Sequence, residues 1–399
     1  MAESSIPDLE TFLCRYVKAQ YFPRHARTPE FTASDVQFFA RGVAEVSQAF
    51  TVDRASLPRN YFNRKEFRSG YLLYFVLSNY PKAWQCLQQI AAQTRFAGRS
   101  PVRILDLGSG PGTASLAAID YWKMHAPTSP LSLLAVDQNA EILGDARRLC
   151  TTRAHSIVTY KTLTTTLTRK NLASALRHER YDIIFLMNVL NELGDIEERQ
   201  RIVTALCHHH LTPDGVLIII EPGLQRTTRD LMGLRDALFV TEKPDQPLED
   251  VSPFHILAPC LHQDICPMRA HNARDWCHFA LRWSRPKLIA DLDRLIGNNK
   301  EDLKWSYLIL SNTPPKIPAN IYRVVSSPLR SKGKIELLLC PATGHHTNRL
   351  RRIVRLDKDR APGNTDLDRI QRGDVVTCGA EDRLTASGQP FRRVIPFQT

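Results

Sequence analysis

The stretch Ile104-Leu105-Asp106-Leu107-Gly108-Ser109-Gly110-Pro111-Gly112-Thr113 decides the fold, because an apolar run leads directly into a glycine loop. Glycines let the backbone turn tightly and approach a ligand, and a helix that begins after the loop offers it free N–H groups. A dinucleotide site needs a third glycine where this chain has Thr113. The stretch therefore predicts a strand, a ligand-binding loop and a helix, and it disfavours a nicotinamide or flavin site.

Short apolar runs alternate with helical stretches on the C-terminal side of this loop. Such alternation is typical of a mainly parallel sheet with helices on both faces. We predict an α/β, Rossmann-like sheet with seven strands, at residues 103–107, 131–136, 156–160, 181–190, 216–220, 255–258 and 303–310.

The spacing of acid and glycines resembles motif I of the Rossmann-like methyltransferases that bind S-adenosylmethionine. The second predicted strand ends at Asp137, where such enzymes place an acid on the adenosine ribose. A carboxylate can accept hydrogen bonds from both ribose hydroxyls, which explains the residue type. The resemblance implies that S-adenosyl-L-methionine is bound by Asp106, Gly108, Gly110, Gly112 and Asp137. The alternative is a glycine loop that serves only the strand-to-helix turn.

Two regions of different character flank the predicted sheet. Residues 1–96 show apolar spacing typical of helices, whereas residues 320–399 contain short apolar runs separated by Gly and Pro. We predict a helical N-terminal region (1–96), a methyltransferase-type domain (97–319) with a Cys-rich insertion at about 259–300, and a small basic C-terminal β module, barrel-like in pattern (320–399).

Polar residues follow the fourth predicted strand, where catalytic residues of such a fold gather. Asn188, Asn191 and Glu192 are therefore candidate catalytic residues on the substrate side of the pocket, and Glu221 ends the next strand. The Asn-Pro-Pro-Tyr motif of amino-directed methyltransferases is absent there. Structural caps or surface residues remain the alternative for all of them.

The charge balance indicates a polyanionic partner. The 399 residues carry 53 Lys and Arg against 41 Asp and Glu, a formal net charge of +12, which favours nucleic acid over an acidic membrane surface. Residues 323–360 are the most basic stretch and predict a nucleic-acid face. With no apolar run of membrane-spanning length and no signal or transit peptide evident at the start, we expect a cytoplasmic protein. A mitochondrial matrix location would apply only to a eukaryotic source.

Four of the nine cysteines stand out in their spacing: Cys260, Cys266, Cys277 and Cys340, separated by five, ten and sixty-two residues. In a reducing cytosol a metal site is expected before a disulfide framework or a disulfide-linked partner. The spacing lacks the short Cys pairs of zinc fingers and is open to zinc or to a [4Fe-4S] cluster. A mixed zinc site is an alternative, because His255, His262, His271 and His278 interleave with the cysteines. A further alternative is that the four cysteines are buried structural thiols.

The sequence around these cysteines resembles a family of methyltransferase-like proteins of the small ribosomal subunit. That family comprises mitoribosomal assembly factors or subunits and bacterial predicted rRNA methyltransferases. The resemblance covers about residues 70–380 and is carried by the glycine loop, Tyr307-Leu308-Ile309-Leu310, Gly373-Asp374, and the segments His255-Ile256-Leu257-Ala258-Pro259-Cys260-Leu261-His262, Ile265-Cys266-Pro267, Trp276-Cys277-His278-Phe279 and Leu337-Leu338-Leu339-Cys340. One departure is Leu261, where the family often has a second proline.

The resemblance implies that the four cysteines ligate a [4Fe-4S] cluster and that the chain acts on rRNA of the small ribosomal subunit as an S-adenosylmethionine-dependent methyltransferase-like protein. The C-x₃-C-x₂-C loop of radical enzymes is absent, so we expect a structural cluster that joins the insertion to the C-terminal module. Two alternatives stay open: a non-catalytic assembly factor that binds rRNA and retains the pocket, and a methyltransferase for a protein or small molecule.

Overall fold

The computed structural model describes residues 6–25, 28, 31–51, 61–239, 254–318, 320–342 and 349–394. The chain divides into two compact units, Met1–Leu167 with Leu281–Leu303, and Thr168–Ala280 with Lys304–Thr399. The predicted domain boundaries near residues 96 and 319 stay predictions. In the part of the chain that is described, no helix is both long and apolar enough to cross a membrane.

The first unit begins with helices, as predicted for its N-terminal region. They are α1 (Ile6–Tyr21), α2 (Ala33–Thr51), α3 (Lys65–Gly70), a π-helical turn (Tyr71–Val76), α4 (Leu77–Gln89) and α5 (Ala92–Arg95). Helices α2 and α3 cross closely, because a Cβ atom added to Gly70 would lie 3.0 Å from the Gly42 backbone. Pro81 lies inside α4 without ending it.

Three parallel strands of the first unit follow, β1 (Val102–Leu107), β2 (Leu131–Asp137) and β3 (Val158–Thr164), in the order β3-β2-β1. Helix α6 (Thr113–His125) connects β1 to β2, and α7 (Ala140–Arg153) connects β2 to β3. The residues of β1 and β2 are largely buried and apolar, as expected when helices cover a parallel sheet.

The second unit continues with strand–helix alternation. Its elements are α8 (Arg169–Leu176), β4 (Tyr181–Met187), α9 (Ile196–Ala205), β5 (Leu211–Pro222), α10 (Gln225–Phe239), β6 (His255–Ala258) and α11 (Pro267–His271). Strands β7 (Phe279–Arg282) and β8 (Asp302–Ser311) cross the boundary between the units, and α12 (Lys287–Ile296), which lies between them in the chain, belongs to the first unit. Strands β4 and β5 are parallel, and β8 runs antiparallel between β5 and β6. All seven predicted strands exist, so the α/β, Rossmann-like prediction is confirmed; β7 was not predicted.

The predicted C-terminal β module is also present. It contains β9 (Ile321–Val324), β10 (Leu329–Ser331), β11 (Lys334–Pro341), β12 (Arg351–Leu356), β13 (Val375–Thr377), β14 (Arg383–Leu384) and β15 (Arg392–Val394). The strand order is β14-β12-β11-β9-β13-β15, with β10 paired to β11. A buried cluster that includes Leu337, Ile353 and Phe391 forms its core. The sequence missed β10 and β14 because runs of three and two residues carry no readable period.

A buried carboxylate joins the N-terminal helices to the first sheet layer. Asp145 of α7 is fully buried, and Tyr16 donates a hydrogen bond of 2.6 Å to it. Tyr21 donates a second, and Arg148 a third at 2.8 Å. The Arg68 guanidinium lies 3.6 Å from the same carboxylate. These donors compensate a charge that water cannot reach, so the helices and α7 depend on one another.

We expect Asp145→Ala to lower the free energy of unfolding by about 3 kcal/mol, because it leaves two arginines and two tyrosines without their buried acceptor. Glu141→Gln is the control: this exposed residue on the same helix contacts the same Arg68, and its loss should cost less than about 1 kcal/mol. Urea unfolding followed by circular dichroism measures both. Equal shifts of the two midpoints would contradict the role given to Asp145.

Candidate functional site

The glycine loop lies between β1 and α6, as predicted. Gly108, Gly110 and Gly112 all have positive φ angles, which glycine adopts without steric cost. Two N–H groups of the loop, from Gly108 and Ser109, donate to the Val136 carbonyl at 2.7 and 3.0 Å. A Cβ atom added to Gly110 would meet nothing within 4 Å, whereas one on Gly112 would lie 3.0 Å from the Cys150 sulfur. Gly110 therefore borders open space, and Gly112 is a close-packing position.

Asp106 supports the loop from beneath. It is buried, and its Oδ2 atom accepts hydrogen bonds from the Ser115 amide (3.1 Å) and hydroxyl (2.7 Å). The carboxylate thereby satisfies a donor in the first turn of α6. Burial raises the pKa of Asp106 to about 6, although the two bonds from Ser115 act to lower it. Its observed contacts are those of a residue that positions the loop.

Asp137 closes the loop from the neighbouring strand. Its Oδ2 atom accepts from the Gly110 amide, and its Oδ1 atom from the Asn139 amide, both at 2.9 Å. Burial raises the pKa of Asp137, and the backbone donors of Asn139 and Gly110 oppose that shift. Each carboxylate oxygen keeps a second lone pair for a ligand hydroxyl. The structure thus brings Gly110 and Asp137 together, as the sequence predicts.

The candidate catalytic residues follow β4. Asn188 is half-buried, has a φ of +61°, and donates its backbone N–H to the Ile220 carbonyl at 2.7 Å. Glu192 is exposed, and the Asn191 side chain lies outside what the structure describes. Glu221 is buried, and its Oε1 atom accepts from the Leu190 amide at 2.9 Å. Glu221 therefore orders the turn after β4, and the catalytic assignments stay predictions.

Four cysteines meet at one small cavity of the second unit. Cys260 follows β6, Cys266 precedes α11, Cys277 precedes β7 and Cys340 lies on β11, yet all four line the same cavity of about 50 Å³. No two of the nine cysteines form a disulfide. The sequence singled out these four by spacing, and the tertiary structure places them together.

The electrostatics of these thiols reflect their proximity. Burial raises the pKa of Cys266 to about 11, with a further contribution from the charge of Cys260. Burial also raises the pKa of Cys277 and of Cys340, and in both cases neighbouring cysteines add to the shift. Four anionic sulfurs would repel one another here, unless nearby positive charge or a bound cation compensates them.

The interleaved histidines do not all join the cysteines. His262 is buried in the cavity wall, and its Nε2 atom lies 3.4 Å from the Cys340 sulfur, a hydrogen-bond distance. His278 contacts the Trp276 carbonyl and Arg372, whereas His255 is half-buried and His271 is exposed. Throughout the described ranges, no group of three or more His, Cys, Asp or Glu side chains forms a ready-made site for a metal ion.

Three arginines brace the backbone beside the cysteines. Arg235 of α10 donates to the carbonyls of His262 and Asp264, in the loop between Cys260 and Cys266. Arg323 of β9 donates to the Pro259 carbonyl at 2.9 Å.

Arg372 donates to the ring and carbonyl of His278, next to Cys277. One buried N–H of each arginine has no hydrogen-bond partner: Nε of Arg235, Nη2 of Arg323 and Nε of Arg372. Buried donors without a partner are uncommon in folded proteins, so these three distinguish the region beside the cysteines.

These arginines are not among the residues that the sequence patterns indicated. Arg235 carried a readable signal, because it follows Leu231 by four residues and precedes Leu238 by three, on the buried face of α10. A charged residue on such an apolar face requires a buried partner. Arg323 and Arg372 carried no comparable signal, since their partners are carbonyl groups distant in sequence.

The basic stretch of the C-terminal module is partly neutralised within the module. Lys334 and Arg352 pair with Glu336, and Arg355 and Arg360 pair with Asp368. Exposed basic side chains outside such ion pairs remain at Arg330, Lys332, Arg349 and Lys358. A nucleic-acid face, if formed here, is smaller than the count of basic residues predicts.

The family model described as mitochondrial small ribosomal subunit Rsm22 matches residues 67–359. This match spans well over half of the chain, and it includes the glycine loop and all four clustered cysteines. The chain belongs to the Rsm22 family. The family is one associated with the small ribosomal subunit, as the sequence resemblance predicted.

Solved methyltransferases share low similarity with this Rsm22-family chain. Magnesium protoporphyrin IX methyltransferase from Synechocystis PCC 6803, solved with bound S-adenosylhomocysteine, is 15% identical, with 63% of this chain and 96% of that chain covered and a TM-score of 0.35. The CurJ carbon methyltransferase is 15% identical, with 69% and 67% covered and a TM-score of 0.38.

A methyltransferase from Agrobacterium tumefaciens is 17% identical, with 39% and 48% covered and a TM-score of 0.30. In three other matches this chain spans only 43%, 48% and 49% of the solved protein. No curated protein matches the chain. Function therefore has to be argued from the Rsm22-family match and from the site.

Asp106 predicts a pH dependence whose sign follows from its pKa. The folded value of about 6 exceeds the unfolded value of about 4. Stability that the neutral carboxyl contributes is therefore fully present below about pH 4, and it is lost as the pH rises through 6. Asp106→Asn, which stays neutral, should gain stability relative to the wild type by up to roughly 3 kcal/mol between pH 4 and pH 7.

Urea unfolding at a series of pH values measures this difference, with the exposed Asp302→Asn as control. The control should differ from the wild type by a constant amount over that pH range. A constant difference for Asp106→Asn as well would show that the carboxyl is not held in a raised-pKa state.

Proposed function

We propose that this Rsm22-family protein acts on the rRNA of the small ribosomal subunit, during assembly or translation, as an S-adenosylmethionine-dependent methyltransferase with a structural [4Fe-4S] cluster. One observation carries the proposal: a single family match extends over the glycine loop, the residues after β4 and all four clustered cysteines. The net charge of +12 supports an RNA partner. Its proposed location is the cytoplasm, or the mitochondrial matrix in a eukaryote.

The glycine loop fits a bound S-adenosylmethionine. The space beside Gly110 is open, and the carboxylate of Asp137 lies against the same amide with lone pairs to spare. Gly108, Gly110, Gly112 and Asp137 would hold the cofactor, and Asp106 would hold the loop in place from beneath. When bound, the cofactor supplies an activated methyl group. The chain's own part is to orient the reactants and to exclude water.

The cavity in the second unit supports the cluster assignment. Among the described residues, the hydrogen bonds of Arg323 and Arg372 go to carbonyl groups and a histidine ring, and one buried nitrogen of each has no hydrogen-bond partner. Metal-bound thiolates would place negative charge beside these two guanidinium groups, which neutral thiols would not.

The described side chains form no ready-made metal-ion site, so we prefer a cluster to zinc because the family resemblance implies it and because the cysteine spacing lacks the short pairs typical of zinc fingers. A four-iron cluster is wider and takes thiolates that are further apart. Cys260, Cys266, Cys277 and Cys340 would hold it. Because Cys340 lies on β11 and the others lie between β6 and β7, metal binding would stabilise the fold of these segments together.

A non-catalytic assembly factor is the second candidate, and one observation favours it. Both oxygens of Asp137 accept hydrogen bonds from the chain's own backbone, which gives the carboxylate a role in holding the loop. In that case the pocket would serve the shape of the protein, and rRNA binding alone would be its function. The experiment on Gly110 distinguishes the two candidates.

Gly110→Ala should weaken S-adenosylmethionine binding by at least tenfold, because the added methyl group occupies the open space beside the loop. Gly98→Ala is a matched control: its φ is also positive and its surroundings are also open, so it carries the same backbone strain of roughly 1–2 kcal/mol. Calorimetric titration of the full chain with S-adenosylmethionine measures the affinity. Equal affinity in the two variants would contradict the assigned pocket.

Methylated nucleotides of small-subunit rRNA, mapped in cells that carry each variant, then test the reaction. Loss of one methylation with Gly110→Ala, but not with Gly98→Ala, supports the enzyme. An unchanged methylation pattern, with assembly impaired only when the clustered cysteines are substituted, would remove the enzymatic proposal and leave the assembly factor.

Anaerobic purification tests the cluster. The wild type should contain about four iron and four sulfide per chain and absorb broadly in the visible range. Cys340→Ser should lose most of this iron, whereas Cys378→Ser should keep it, since Cys378 is a buried thiol of the same module outside the cavity. A colourless wild-type protein with stoichiometric zinc would overturn the cluster.

A further inference from the structure

A chain of three side chains leads from α10 to one of the clustered sulfurs. The Nη2 atom of Arg235 lies 3.3 Å from Nδ1 of His262, and Nε2 of His262 lies 3.4 Å from the Cys340 sulfur. All three line the cavity that Cys260, Cys266 and Cys277 also line. They come from α10, from the loop after β6 and from β11, so only the fold brings them together.

The direction of the hydrogen bonds in this chain follows from chemistry. A guanidinium group can only donate, so the contact with Arg235 requires Nδ1 of His262 to accept; the Asp264 carbonyl, which also faces the ring, accepts from Nη1 of the same Arg235. In that arrangement the neutral ring carries its proton on Nε2. The Nε2–H group then donates to the sulfur of Cys340, which is the best acceptor when it is a thiolate.

Arg235 is held so that it cannot easily leave this position. It is 2% exposed, its Nη2 atom also donates to the His262 carbonyl at 2.7 Å, and its Nη1 atom donates to Asp236 at 2.7 Å and to the Asp264 carbonyl. Asp236 in turn accepts from the Cys266 amide at 2.9 Å. The pair Arg235–Asp236 therefore fixes both the histidine and the cysteine loop.

We propose that this relay, from Arg235 through His262 to the Cys340 sulfur, raises the reduction potential of the [4Fe-4S] cluster. The inference rests on the proposed function, since it requires the cluster on the four cysteines. A hydrogen bond to a ligand sulfur stabilises the more negative, reduced form. His262 and Arg235 act through Cys340, so they are positioning residues rather than ligands.

The test compares midpoint potentials in dithionite titrations followed by electron paramagnetic resonance, on full-length protein purified without oxygen. His262→Leu removes the donor and should shift the potential to more negative values. His262→Gln offers an amide N–H in place of the ring donor, so its potential should lie between those of His262→Leu and the wild type. Arg235→Met, which no longer fixes the tautomer, should shift the potential in the same direction as His262→Leu. His255→Leu, on β6, is the control and should match the wild type.

A second measurement starts from wild-type protein, in which no substitution can prevent the cluster from binding. In wild-type protein labelled with ¹⁵N-histidine, electron–nuclear resonance of the reduced cluster should show a coupled histidine nitrogen, and His262→Gln should lose that signal. If the His262→Leu protein contains the cluster and has the wild-type potential, the relay is contradicted and the assignment of the cluster stands. The same holds if wild-type protein that contains the cluster shows no coupled histidine nitrogen. Wild-type protein without iron and sulfide overturns the proposed cluster itself and the relay with it.

Discussion

A buried charge must find its partners inside the protein, and this constraint organises both units. In the first unit the carboxylate of Asp145 gathers Tyr16, Tyr21 and Arg148 from three different helical turns. In the second unit the guanidinium of Arg235 gathers the cysteine loop, its neighbour Asp236 and the ring of His262. Because an unpaired buried charge costs several kcal/mol, each of these groups holds distant segments in one arrangement.

The same constraint connects architecture to function. The glycine loop depends on two carboxylates: Asp106 secures the first turn of α6, and Asp137 secures the Gly110 amide. Both are buried enough for their pKa values to rise, so the loop carries a cost that a simple strand-to-helix turn would not need.

Basic side chains lie close to the clustered cysteines, with Arg323 and Arg372 near Cys277 and Arg235 near Cys340. Arg235 pairs with Asp236, whereas the hydrogen bonds of Arg323 and Arg372 within the described residues go to carbonyl groups and a histidine ring. The proposed cluster would carry negative charge through its four thiolates, and these arginines would complement it. The arrangement therefore fits a site in which the protein contributes both ligands and counter-charge.

The sequence by itself determined the strands, the glycine loop and the four cysteines. The apolar period, the glycine spacing and the cysteine spacing can all be recognised from the order of residues alone. The sequence missed β7, β10 and β14, which are too short to show a period, and it did not show that Arg355 pairs with Asp368, because composition does not encode such a pair. The nucleic-acid face stays a prediction. Only the tertiary structure decided that Arg235, His262 and Cys340 meet. Hydrogen bonds between side chains on separate elements depend on packing, and no local pattern encodes them.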